Sequence, residues 1–142
     1  MTVKQLSVFV ENKQGKLKDI VNAISGSDVN IRAMSIADTK DYGILRLIVS
    51  DIEEAKKALT EDCLSSVNEV IAVGLNDKAG SLADILNILG ENDIDIDYLY
   101  AFTARTDKGA YVVLRVADTN AAEAVFAEKN VPMLSDDDLK NI

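Results

Sequence analysis

The sequence predicts an α+β protein made of two tandem βαββαβ units, each with an antiparallel four-stranded sheet. Three observations predict it. NKQGKLKDIVNAI (12–24) and DKAGSLADILNIL (77–89) read almost alike, with Gly15 and Gly80 set 65 residues apart. Similarity at a fixed spacing marks a duplicated structural unit. Within each copy, stretches that alternate apolar and polar residues exchange in the same order with stretches of helical period. Several strands are also apolar on both faces, namely VIAV (70–73), YVVL (111–114) and LIV (47–49).

The first unit opens on KQLSVFVEN (4–12), where Leu6, Val8 and Val10 alternate with Gln5, Ser7 and Phe9 as in a strand. NKQG then leads into Leu17, Ile20, Val21 and Ile24, the i, i+3, i+4, i+7 stripe of an amphipathic helix. Gly26, Ser27 and Asp28 stop it. VNIRAMSIAD (29–38) reads as a second strand, TKDYG as a hairpin turn and ILRLIVS (44–50) as a third strand. IEEAKKALTED (52–62) is a second helix resting on Ile52, Ala55, Ala58 and Leu59, and a short strand near 64–67 closes the unit.

The second unit repeats this order. EVIAVGLND (69–77) is a strand, DKAG the loop, and Leu82, Ile85, Leu86 and Leu89 the helical stripe. IDIDYLYAFTA (94–104), the turn RTDKG, AYVVLRVAD (110–118), the helix AAEAVFAEK (121–129) and the closing strand VPMLS (131–135) follow. No Pro- or Gly-rich linker separates the copies, so domains at 1–68 and 69–142 are expected to be tightly coupled. This order is the ferredoxin-like split-βαβ arrangement, with both helices on one face of the sheet. An antiparallel sheet with one wet face alternates cleanly. Strands apolar on both faces therefore predict that the far face is covered, by the other copy or by a second chain, and a homodimer is expected.

Composition narrows the function. The chain has 142 residues, 48% of them hydrophobic and 27% charged, a globular balance. No apolar run reaches the roughly 20 residues that cross a bilayer, and the first residues carry no signal-peptide pattern. A cytoplasmic protein is expected, and its single cysteine, Cys63, suits a reducing compartment. A formal charge of −9 with scattered lysines and arginines argues against nucleic acid. Histidine is absent, which removes the commonest general base and metal ligand. Paired cysteines of a soft-metal carrier and a loop arginine of a phosphatase are missing too. No enzyme, metal site or cofactor is expected.

The loop between the first strand and the first helix is where this architecture can bind something. The first amides of a helix lack intrahelical partners and sit at the positive end of its dipole, so they suit a carboxylate or phosphate. A glycine there allows close approach.

Strand, then N/D-K-x-G-x-L, helix, then (V/I)-(N/D)-I opening the second strand, resembles the ACT domain. Both copies match, at 12–17 with Val29, Asn30 and Ile31, and at 77–82 with Ile94, Asp95 and Ile96. The resemblance covers nearly the whole chain. It implies a regulatory, allosteric protein that binds a small molecule, mostly a free amino acid, where the loop of one ACT domain meets the edge of a neighbouring one. Carried over by position, the implied ligand-binding residues are Asn12, Lys13, Gln14, Gly15, Lys16, Leu17, Asn30 and Ile31 in the first unit. In the second they are Asp77, Lys78, Ala79, Gly80, Ser81, Leu82, Asp95 and Ile96. Asn12 and Asn30 match the asparagines of the amino-acid-binding pattern; Asp77 and Asp95 replace them in the second copy, and the first copy is favoured as the Asn-type site. Gln14 and Ala79 stand where the family often has proline. The resemblance also implies an alternative, a regulatory or interaction subunit docking on an amino-acid-biosynthetic enzyme such as an acetolactate synthase-like catalytic subunit.

Three other features read structurally. Asp93, Asp95 and Asp97 begin like a calcium loop, but Tyr98 and Ala104 occupy the glycine and glutamate positions that such a loop requires. Ser135 with Asp138 reads as a capped terminal turn. Tyr98, Tyr100 and Phe102 share one strand face and suit sheet packing or a domain interface.

Overall fold

The computed structural model describes residues 1–38, 41–61, 63–104, 106 and 109–142. The chain runs β1 (Val3–Glu11), α1 (Lys16–Ser25), β2 (Ile31–Asp38), β3 (Tyr42–Val49), α2 (Ile52–Ala58), β4 (Ser65–Leu75), α3 (Ser81–Glu91), β5 (Ile96–Ala101), β6 (Ala110–Val116), α4 (Thr119–Glu128) and α5 (Asp136–Asn141). Both hairpin turns read from the sequence, 39–43 and 105–109, fall partly outside the described residues.

The two ferredoxin-like units are present, and they share a strand. The closing strand of the first unit and the opening strand of the second are one element, β4. Nothing between residues 64 and 73 is Pro or Gly, so no residue type there ends the extended chain. Its first half pairs with β1 from Val3↔Val70 to Val8↔Ser65, and its second half with β6 from Ile71↔Leu114 to Leu75↔Ala110. The position between residues 68 and 69 therefore lies inside this strand. VPMLS makes an isolated bridge, Val73↔Met133, supported by Gly74 N–H to Pro132 O at 2.8 Å and Leu134 N–H to Ala72 O at 2.9 Å. Pro132 has no N–H to give a longer ladder. The result is one six-stranded antiparallel sheet, ordered β2-β3-β1-β4-β6-β5, where two four-stranded sheets were expected.

Each unit keeps its own core. Leu6, Val8, Val10, Leu45 and Leu47 meet Ile20 and Ile24 of α1 and Ala55 of α2. Ile71, Val73, Val112 and Leu114 meet Ile85 and Leu89 of α3 and Phe126 of α4. The sheet's other face forms a third core between the units, joining Val3, Ala33 and Ile48 to Val70, Ala72, Tyr100, Tyr111 and Val113. Within β4, Val70 and Ala72 turn into this middle core while Ile71 and Val73 face α3 and α4. The strands that are apolar on both faces are thus covered by the other copy. The sheet curls until its outermost strands meet, with a bridge at Ala33↔Phe102 and the N–H groups of Thr103 and Ala104 on Arg32 O at 3.0 and 3.1 Å.

The short helix α5 belongs to the second unit alone. Ser135 and Asp138 form its capping box, Leu139 is buried in the middle core, and Arg32 Nε donates to Leu139 O at 3.0 Å. The N–H of Lys4 donates to Asp136 Oδ1 at 3.0 Å, so α5 fastens the start of β1 as well.

Candidate functional site

The two loops singled out by the repeat fold alike. Gly15 and Gly80 are the N-cap residues of α1 and α3, both left-handed, at φ 85° and 88°. Glu11 O accepts from Lys13 N–H at 2.7 Å, and Lys13 O from Lys16 N–H at 3.2 Å. The second loop repeats this with Asn76 O and Lys78 N–H at 2.8 Å, and Lys78 O and Ser81 N–H at 3.3 Å. A positive φ is the reason for glycine here, because a Cβ at either site would meet nothing within 4 Å.

What these helices lack is also shared. Asp51 caps α2 through Glu54 N–H, Asp118 caps α4 through Ala121 N–H, and Ser135 caps α5 through Asp138 N–H. Neither α1 nor α3 has a side-chain cap. Their first-turn amides are left without the side-chain acceptor that the other three helices have, at the positive end of the helix dipole.

The sequence-derived residues fall at two ends of each unit. Asn12, Lys13 and Gln14 are exposed beside Gly15, and Asn12 Nδ2 donates to Asp38 Oδ1 at 3.4 Å. Lys13 pairs with Glu11 at 2.9 Å, and that hydrogen bond raises its pKa. Lys16 and Leu17 are half-buried, Leu17 against the first core. Asn30 lies at the opposite end of β2, where Ser50 Oγ accepts its N–H at 3.0 Å; Ile31 packs into the core. The register sets Glu11 beside Tyr42 at one end and Ile31 beside Val49 at the other, about 25 Å apart along the strand. Asn12 and Asn30 of one unit are therefore not brought together. In the second unit, Asp77, Lys78, Ala79 and Gly80 are exposed at the Leu75 end, with Ser81 half-buried and Leu82 exposed. Asp95 and Ile96 lie at the Val116 end, where Asp95 O accepts Ala117 N–H at 3.1 Å.

Beside each loop the structure shows a cleft that sequence reasoning missed. In the first unit it measures about 230 Å³ and is lined by Lys16, Asp19, Ile20 and Ala23 of α1 with Leu59, Thr60 and Cys63. In the second it measures about 290 Å³, and Ser81, Asp84, Ile85 and Ile88 of α3 occupy the equivalent places. Its far wall is Lys129, Asn130, Val131 and Pro132, and Asn76 and Tyr111 complete it. Asn130, at φ 56°, turns the chain out of α4 and lays Pro132 over Gly74. A Cβ on residue 74 would come within 3.2 Å of Pro132 Cβ and 3.3 Å of Tyr111 Cε1, so the close approach needs this glycine. Asp19 and Asp84 recur at matching places in the repeat, a signal that could have found them; nothing in the sequence ties Lys129 to α3.

Between the units, the middle core holds a polar cluster. Gln5 is fully buried; its Nε2 donates to Tyr98 OH at 2.7 Å and Ser7 Oγ at 3.1 Å, while its Oε1 accepts from Tyr100 OH at 2.6 Å. The Arg46 guanidinium lies 3.8 Å over the Tyr98 ring. Burial pushes the Tyr100 hydroxyl far up, with Tyr98 adding and Arg46 opposing.

Fold and loops together define a class: paired ferredoxin-like domains, each opening on a glycine corner before an uncapped helix. The family model for the ACT domain pair matches residues 1–142, and the chain belongs to that family, one typical of amino-acid-binding regulatory proteins. It is 34% identical to protein BT0572 from Bacteroides thetaiotaomicron over 100% of this chain and 98% of that one, with a TM-score of 0.90. Regulatory subunits of aspartate kinase share the fold at 12% identity, each match covering 89% of this chain and 90% of the other. The Thermus thermophilus subunit, in its ligand-free form, has a TM-score of 0.62, and that of Thermus flavus 0.56. No curated protein matches the chain in sequence. Among the described residues, no helix is long and apolar enough to cross a membrane.

Proposed function

We propose that this protein is a non-enzymatic cytoplasmic sensor of a free amino acid, acting through two ACT units, 1–68 and 69–142. The observation that carries the reading is the pair of left-handed glycine corners on helices without side-chain caps, where α2, α4 and α5 are each capped by a side chain. The ligand carboxylate sits at the helix-start amides of the corner, held by residues 12–17 or 77–82. Asn30 and Ile31, or Asp95 and Ile96, complete the site from the edge of another ACT unit. Because Asn12 and Asn30 of one unit lie at opposite ends of β2, a ligand touching both residue types takes them from two units, which supports a homodimer. Ligand then favours the arrangement in which both units touch it, and that shift is the allosteric output.

One observation favours a second reading, docking on an amino-acid-biosynthetic enzyme. Phe9 and Tyr42 pack edge to face at 5.6 Å, and with Leu64, 71% exposed, they line a hollow of about 280 Å³ on the outside of the first unit. An apolar patch of this kind suits a protein partner.

A thermal-melt screen against the common amino acids tests the sensor. Ligand at a hundredfold excess over its Kd adds about 2.7 kcal/mol, several degrees for a chain of this size. Gly15→Val and Gly80→Val then assign the corners. A melt unmoved by every amino acid favours the docking reading, and a shift that is undiminished when both substitutions are combined removes the corners as the site.

A further inference from the structure

We infer that the first half of β4 is a docking edge for an extended segment of a partner protein, one with two apolar residues three apart and lysine or arginine on its flanks. The inference rests on the docking reading and deepens it, naming the form and chemistry of what docks. The glycine corners play no part in it.

β4 lies inside the sheet order, yet its first half has a strand on one side only. β1 takes Ser65 to Val70, and β6 joins from Ile71 onward. In an antiparallel ladder, successive residues of a strand direct their N–H and C=O groups alternately to its two sides. Phe9 N–H donates to Leu64 O at 2.9 Å, so Leu64, Ser66 and Asn68 face β1. Ser65, Val67 and Glu69 face the other side, the one that β6 takes over at Ile71. Arg115 Nη1 donates to Glu69 O at 2.7 Å and occupies that carbonyl. Among the described residues, the backbone groups of Ser65 and Val67 have no partner on that side, and residues 64–67 are exposed in succession. Proline and lysine are the usual guards of an open edge, and residues 64–69 contain neither. Two N–H and two C=O groups, on residues two apart, are what an added strand satisfies.

The side chains define the occupant. Leu64 ends an apolar row that crosses the sheet from Ile44 through Phe9, and it is 71% exposed beside the hollow of Phe9 and Tyr42. Val67, opposite Leu6, lies on the other face and is 41% exposed. An added strand covers both with one apolar residue opposite Leu64 and another, three residues away, opposite Val67. Residues 61–69 include Glu61, Asp62 and Glu69 and no lysine or arginine, in a chain of net charge −9, so basic flanks complement them. A second copy of the chain fits poorly. Antiparallel pairing of two such edges through Ser65 and Val67 sets Leu64 against Asn68 and Val67 against Ser65, and joins two chains of the same charge.

Hydrogen exchange of the full chain, followed amide by amide, tests the edge. The Ser65 and Val67 amides are expected to exchange about a hundredfold or more faster than those of Ser66 and Asn68. Equal protection of all four overturns the edge, as does protection of Ser65 and Val67 that grows with protein concentration, the mark of a second copy. Linear octapeptides selected on the full chain from a random displayed library are the second probe. The selected peptides should carry the apolar pair and basic flanks, and should slow exchange at Ser65 and Val67. N-methylation of either peptide amide facing the edge should weaken binding about fivefold or more, the effect of one hydrogen bond, and N-methylation of the amide between them should not. Val67→Pro removes an outward N–H, and Val67→Lys places a like charge beside the basic flanks at an exposed position that tolerates it. Each should weaken the peptides by a similar factor, and unchanged affinity in both overturns the edge. Peptides that protect the amides around Phe9 and Tyr42 while Ser65 and Val67 exchange freely overturn the edge and leave the docking reading standing. A library without a binder overturns both.

Discussion

Gln5 occupies a place that strand alternation alone would give to the solvent face, yet it is buried. It sits on the face of β1 that meets the other unit, with no exposed area, and two tyrosines 93 and 95 residues away satisfy its amide. A buried amide costs free energy unless its bonds are made, so this residue specifies one relative position of the units rather than adding general adhesion. Its partner Tyr100 gives a pH signature. Burial holds the hydroxyl pKa above its unfolded value of about 10. The neutral form is favoured in the folded state, so the stabilisation is complete below that pH and is lost as pH climbs past it. Stability should fall by about 1.4 kcal/mol per pH unit above pH 10 from this residue. In urea denaturation, Tyr100→Phe should flatten that slope and lose about 1 kcal/mol at pH 7 with the Gln5 bond. A slope identical to the parent protein's would refute the assignment. Tyr98 and Tyr100 were readable as interface residues from their two-residue spacing; the burial of Gln5 was not, because its partners are nonlocal.

At the scale of elements, the two corners separate conformational strain from ligand contact. Gly15 and Gly80 have open space where a Cβ would stand, so Gly15→Ala and Gly80→Ala pay only for the left-handed backbone, about 1 kcal/mol each. Thermal or urea denaturation of the two variants should show similar losses. A loss of 3 kcal/mol or more in either would mean that the corner is crowded, contrary to its geometry. The four longer helices, the succession of elements along the chain and the glycine corners were legible because they depend on local period and on a residue type that left-handed backbone demands. Two elements were not. The sequence contains two strands abutting at residues 68 and 69, and only the pairing partners, β1 on one half and β6 on the other, show them to be one. The strand read at VPMLS is reduced to a bridge because Pro132 lacks an N–H and lies over Gly74.

For the whole molecule, duplication and fusion have different consequences. Duplication provides two corners and two clefts, and divergence has made them unequal: Asn12 and Asn30 against Asp77 and Asp95, Thr60 and Cys63 against Lys129 and Asn130. Fusion through β4 and the middle core joins the units by a shared strand and a common core, the route by which the proposed ligand at one unit would bias the other. Much of the candidate site was legible at the level of the loops, where repetition singles out the residues. Its walls were not, since Lys129 and Pro132 reach α3 only after the chain has folded. The most direct test of an amino-acid sensor is the amide spectrum of the isotope-labelled protein recorded while amino acids are added one at a time. One of them is expected to move the amides of a glycine corner, Gly15 to Lys18 or Gly80 to Ala83, together with the residues around it. A spectrum that no amino acid changes, or changes confined to the outer faces of α2 and α4, would contradict it.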